Sequence, residues 1–262
     1  MSKKIVILVL PGIGTKEKEF SKAFQADVHK FSKGTPLANN TIVVEGLPFK
    51  ESQVDKNQSA LFDRIDKISK LGGPLSPRKF VLAAFGDGVT FERDSNNPDS
   101  TYHKIHKYLK SKIEEANQIV QEHEESKLVI VAASMGVHLI STYIWDADKG
   151  KGIFEDNPSS ANNNLRNLSY MATIGCNIPL FVSGLPESKI IAIEKRNSSF
   201  EWDNYYDRDD VLGWPLQQIS NSYNDLVNDH EINTGLYVGS HVKYWDDNDF
   251  TEPFTEKLVK LY

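Results

Sequence analysis

The chain has 262 residues, 39% of them apolar and 10% aromatic, enough to fill a sizeable core and too apolar for wholesale disorder. Lys and Arg number 30 against 36 Asp and Glu, a formal charge of −6, which argues against broad nucleic-acid binding and a polybasic membrane anchor. A single cysteine, Cys176, excludes an internal disulfide and a cysteine-built zinc site, and fits a reducing cytoplasm.

Two lysines precede an apolar run, Ile5 to Leu10. The run passes into Pro11-Gly12-Ile13-Gly14 without a small-residue cleavage site, so it reads as a buried strand rather than a secretory signal. No stretch is long enough for a membrane span. A helix is expected over Lys16 to Phe31, a strand over Thr41 to Gly46, and a helix over Ser59 to Leu71. The last carries Leu61, Ile65 and Ile68 on one face and stops at Gly72-Gly73-Pro74. Phe80 to Phe85 reads as the next strand. The polar loop Asp94 to Ser100 should then cap a long helix from Thr101 to His123, with Ile105, Leu109, Ile113 and Ile119 at helical spacing.

Leu128 to Ala133 is wholly apolar and β-rich, as in the centre of a parallel sheet. Met135 to Asp146 has helical character. Gly152 to Asn167 is rich in Asn, Ser and Pro and reads as a surface loop. It and Asp94 to Ser100 are expected to frame a pocket. Strands follow at Ser169 to Ile174 and Phe200 to Tyr206, with Ile190 to Ile193 a further candidate, and Thr251 to Leu261 closes as a short helix. Apolar runs alternating with amphipathic segments imply an α/β fold. A mainly parallel central sheet with helices on both faces, in a single domain over residues 1–262, is expected.

Four segments carry chemistry. The apolar strand Leu128 to Ala133 ends in Ala132-Ala133-Ser134-Met135-Gly136. A small-x-Ser-x-Gly string alone arises by chance in roughly one chain in five of this length. Between a buried strand and a helix it matches a nucleophile elbow, which presents the serine at the sheet end while small residues two before and two after it clear the turn. The amide of Met135, at the helix start, can stabilise an oxyanion. Pro11-Gly12-Ile13-Gly14 offers a second backbone donor at Ile13. A dinucleotide-binding loop would need a third glycine, and Thr15-Lys16-Glu17-Lys18 follows instead.

The third segment, Trp202 to Leu216, leads from aromatic residues into Asp207, Asp209 and Asp210 at an expected strand end, where an orienting acid belongs. So many neighbouring carboxylates cannot all be buried. Calcium binding is a lesser alternative, because the spacing is not that of an EF-hand. The fourth segment, Leu236 to Trp245, holds His241. Among seven histidines, His103 and His106 are expected on a helix surface and His138 to pack or face solvent. His29, His123 and His230 sit in polar surroundings. Only His241 completes the order Ser, Asp, His from a loop.

Together these blocks resemble the α/β-hydrolase superfamily, in particular its lipase-like and esterase-like serine hydrolases. The resemblance is carried by Pro-Gly-Ile-Gly after the first strand, Ala-Ala-Ser-Met-Gly at the elbow, Thr173-Ile174-Gly175, the tract from Trp202 to Leu216, and Ser240-His241 with Tyr244-Trp245. Pro11 stands where many relatives have histidine, Ala132 where glycine is commoner, and Cys176, read as buried and structural, where the family has serine. The resemblance implies Ser134 as nucleophile, His241 as base and Asp210 as acid, with Asp209 and Asp207 as alternatives, and an oxyanion hole at Ile13 and Met135. It implies a small-molecule acyl substrate, with an ester the first expectation, and no metal or organic cofactor. The rival is a non-catalytic binding protein on the same scaffold.

Overall fold

The computed structural model describes residues 2–12, 20–46, 54–69, 86, 88, 91, 97–155, 163–235 and 241–262. The expected strand Phe80 to Phe85 and the glycine–proline stop after Leu71 lie outside them. In chain order the strands are β1 (Ile5–Leu10), β2 (Thr41–Glu45), β3 (Lys127–Ala133), β4 (Leu168–Ile174), β5 (Glu201–Asp207) and β6 (Val227–Ile232). The helices are α1 (Lys22–Ser32), α2 (Val54–Ser69), α3 (Thr101–Glu122), α4 (Met135–Lys149), α5 (Ile178–Val182), α6 (Asn221–Asn224) and α7 (Asn248–Leu261). Among the described residues the six strands form one all-parallel sheet in the order β2-β1-β3-β4-β5-β6. The protein is therefore an α/β structure. No helix among the described residues is long and apolar enough to cross a membrane.

Unbroken apolar runs became inner strands because both their faces are covered. Val6, Leu8, Leu10, Leu128, Ile130 and Ala132 pack with Ile105, Leu109 and Ile113 of α3 and Leu139, Ile140 and Tyr143 of α4. Ile5, Ile7, Val9, Val129 and Val131 pack on the other face with Phe24 of α1 and Phe250 and Phe254 of α7. Helices thus cover both faces, as parallel strands require. Ser100 caps α3 as expected, its hydroxyl accepting from the His103 amide at 3.3 Å.

Several expectations are corrected. The helix placed at Ser59 spans Val54–Ser69, and its inward residue is Phe62, while Leu61 and Ile65 are exposed. One residue of offset turns a helix face by about 100°; the side chain of Ile68 is outside the description. Ile190 to Ile193 forms no strand, since the Ala192 amide bonds to the Ser222 hydroxyl at 2.9 Å. The stretch from Gly152 to Asn167 is not only surface, because Phe154 and Leu165 are buried in the core. Its residues 163–167 lead into the amino end of β4, away from Ser134. β6, Val-Asn-Asp-His-Glu-Ile, was not expected: it is the edge strand beside β5 and largely polar, so it lacks the apolar signal of its neighbours.

Chain order and strand order together position the site. β1 connects outward to β2, whereas β3 connects in the opposite direction to β4. The connections leaving the carboxyl ends of β1 and β3 diverge, opening the crevice in which parallel α/β sheets bind ligands.

Candidate active site

Ser134 lies in that crevice, between the last residue of β3 and the first of α4. Its backbone is at φ 50°, ψ −122°, a left-handed φ that is strained for a residue with a side chain. Its amide is tied to the Ile174 carbonyl at 3.0 Å, and its carbonyl accepts from Val137 at 3.0 Å. The neighbours are small because the space is already taken. A Cβ on Gly136 would come within 2.7 Å of the Leu10 and Pro11 carbonyl oxygens, and one on Gly12 within 2.7 Å of the Ser134 Cβ. The glycine after β1 therefore abuts the serine after β3.

His241 reaches this point from the C-terminal segment. Its Nε2 is 2.8 Å from Ser134 Oγ and its Nδ1 is 2.8 Å from Asp210 Oδ2. Asp210 sits in the loop after β5, its Oδ1 accepting from the Leu212 amide at 2.9 Å and its Oδ2 from the Tyr244 hydroxyl at 2.9 Å. Burial pushes the Asp210 carboxyl up, but the hydrogen bond and charge of His241, with the Leu212 amide and Tyr244 hydroxyl, hold it below its ordinary value. The carboxylate is thus kept charged beside the imidazole.

The three aspartates are separated by geometry. Asp207 is buried, but its Oδ2 accepts from the Thr234 amide and hydroxyl at 2.6 and 3.0 Å, and its Oδ1 from the Asp209 amide at 2.8 Å. It fastens the end of β5 to the chain leaving β6. Asp209 is exposed. Only Asp210 meets the histidine.

Met135, the other expected oxyanion donor, opens α4, and its side chain is buried. Amides of a helix's first turn have no intrahelical acceptor, so its N–H is available to a ligand. Ile13 lies outside the described residues. Among the described residues no group of three or more His, Cys, Asp or Glu is placed to hold a metal ion. Cys176 is fully buried, and burial pushes its thiol up to about 12.

Comparison with protein-family models and with curated proteins found no match. Among solved structures, the chain is similar to one described as a crystal structure of an uncharacterized protein from Pseudomonas aeruginosa. The identity is 11% and the TM-score 0.39, over 99% of this chain and 46% of that one. This chain thus spans less than half the length of that protein.

Three residues beyond the expected set matter here. Tyr244 bonds to Asp210, and its position in the Tyr244-Trp245 pair was visible in the sequence though its role was not. His103 and His106, expected on the surface, are buried with 7% and 0% exposure. His106 shares the inward face of α3 with Tyr102 and Leu109, four and three residues away. That helical spacing was the available signal, masked by counting histidine as polar. His138 packs, its ring stacked 3.9 Å from that of Phe181.

Proposed function

We propose that this chain is a serine hydrolase of the α/β-hydrolase fold that cleaves an acyl bond, a carboxylic ester first among the candidates, through Ser134, His241 and Asp210. The observation that carries this is the continuous chain of 2.8 Å contacts from Asp210 Oδ2 through both ring nitrogens of His241 to a backbone-strained Ser134. Such strain is costly and persists where function requires it. The chain order Ser, Asp, His and the strand–serine–helix setting support the fold assignment.

The chemistry follows from which atom faces which. With Nδ1–H donating to Asp210, Nε2 is left as the acceptor of the Ser134 proton. As Oγ bonds to the acyl carbon, that proton moves to Nε2 and the carbonyl oxygen takes up negative charge. The Met135 amide, with the Ile13 amide as its expected partner, stabilises the oxyanion. The imidazolium then protonates the departing alkoxide, the alcohol leaves, and an acyl-serine remains. Water attacks that ester with His241 again as base, releasing the acid and restoring Ser134. Asp210 stays ionised throughout, fixing the tautomer and offsetting the imidazolium charge. A cytoplasmic location fits the single buried thiol.

The test is covalent. A serine hydroxyl is a poor nucleophile unless base and oxyanion site are already arranged, so a fluorophosphonate should form a single adduct that maps to Ser134. Ser134→Ala and His241→Ala should each abolish it while circular dichroism and melting temperature stay near wild type. A folded chain that remains unlabelled beside a labelled control esterase would favour the binding-protein reading.

A further inference from the structure

Asp210 Oδ2 accepts two hydrogen bonds, one from His241 Nδ1 at 2.8 Å and one from the Tyr244 hydroxyl at 2.9 Å. The two donors come from one short segment. His241 and Tyr244 are three residues apart in consecutive 3₁₀ turns, a spacing that stacks side chains i and i+3. The hydroxyl also accepts from the Asp207 amide at 3.0 Å, which fixes the direction in which its proton points. The ring is 2% exposed, packed in the core beneath α1 and α7. On the other side of the carboxylate a Cβ at Gly213 would come within 2.3 Å of Oδ2. Water therefore has little room to replace the tyrosine.

We infer that Tyr244 is a positioning residue, which competes with His241 for one carboxylate oxygen and so sets how strongly Asp210 holds and charges the imidazole. This rests on the hydrolase reading for its catalytic meaning. Two donors on one oxygen share its electron density, so each bond weakens the other. Tyr244 remains the neutral donor, because burial and then the Asp210 charge hold its phenol well above the ordinary range. The charged groups around the segment are Asp207 at the end of β5, Asp210 in the loop after it, Lys243 within the segment, Asp246, Asp247 and Asp249 following it, and Asp27 with Lys30 on α1. Asp27 and Lys30 pair with each other at 3.7 Å. Among the described residues the Tyr244 hydroxyl bonds to Asp207 and Asp210.

The sign follows. Removing the hydroxyl leaves the full carboxylate charge to His241, which stabilises the imidazolium. Tyr244→Phe keeps the ring and should shift the acid limb of kcat/KM upward by about half to one pH unit. Turnover should fall roughly threefold to tenfold with KM unchanged, as misplacing the base predicts. Tyr244→3-fluorotyrosine carries a more acidic, stronger-donating phenol and should move the limb downward. It keeps the inference open to refutation if the Phe variant fails to fold. Titrating His241 by ¹⁵N NMR in wild type and both variants reads the same shifts without turnover. A midpoint unmoved in both variants overturns the inference, even if fluorophosphonate labels Ser134 normally. Opposite shifts with an unlabelled Ser134 would uphold the coupling and refute the hydrolase reading alone.

Discussion

Among the described residues tyrosine, aspartate and histidine meet in more than one place, and two of these groups are built differently. At the sheet's carboxyl end, His241 uses both ring nitrogens, at 2.8 Å to Asp210 and 2.8 Å to Ser134. Between α3 and α4, His106 Nδ1 stands 3.5 Å from Asp146 Oδ2, and neither ring nitrogen makes a hydrogen bond among the described residues. Tyr102 instead donates to that Asp146 oxygen. The rings of Phe91, Tyr102 and Tyr143 surround His106 at 5.4, 4.3 and 5.7 Å. Burial lowers its pKa against the opposing pull of Asp146, so it is held neutral as a core side chain. The same three residue types thus make a candidate catalytic relay in one place and a packing element in the other. What differs is whether the second nitrogen meets a serine hydroxyl.

The largest effects should break that comparison outright. Ser134→Ala or His241→Ala should cut turnover by about 10⁴- to 10⁶-fold with the fold intact. His106→Ala should leave turnover within a few-fold but cost about 2–4 kcal/mol of stability, measured by urea unfolding, because it opens a cavity in the core. A collapse of turnover in folded His106→Ala would give the buried group a role in the reaction.

The acids should separate next. Asp210→Asn should lower kcat by about 10⁴-fold, because the amide stabilises the wrong tautomer. Asp207→Asn should change kcat less than about tenfold and instead cost about 1–3 kcal/mol, since its bonds to Thr234 and Asp209 are structural. Equal small losses in kcat would mean that neither is the orienting acid.

The smallest effect sharpens the contrast through pH. His106 has a lowered pKa in the folded protein, so below about 6.5 the unfolded chain binds the proton that the native one refuses. Stability should therefore fall as pH drops below that value. Denaturant melts of His106→Leu should lack that increment of acid sensitivity. An unchanged slope would mean that His106 protonates in place.

The elbow was legible because strand, turn and helix are local and each has a pattern: an unbroken apolar run, small residues flanking a serine, then an amphipathic segment. β1, β3, β4 and the Ser100-capped α3 were legible for the same reason, their periodicity being the trace of burial. β6 was not, because an edge strand is held by the ladder to its neighbour and asks little of its own side chains. The inward face of α2 was misread by one residue, since Leu61 and Phe62 are both apolar and only the neighbouring elements decide which turns inward.

By itself, then, the sequence determined the class of fold, the inner strands, the serine at a strand end and a histidine suited to serve it. These depend on residues close together in the chain. The tertiary structure alone decided which aspartate meets His241, that Gly12 abuts Ser134, that Tyr244 shares the carboxylate, and that His103 and His106 are buried. Each is a contact between segments far apart in sequence, and its geometry is set by the order in which the strands pair. Asp207, Asp209 and Asp210 have the same side chain within four positions. Only the turn after β5, which points one at Thr234, one at solvent and one at the imidazole, tells them apart.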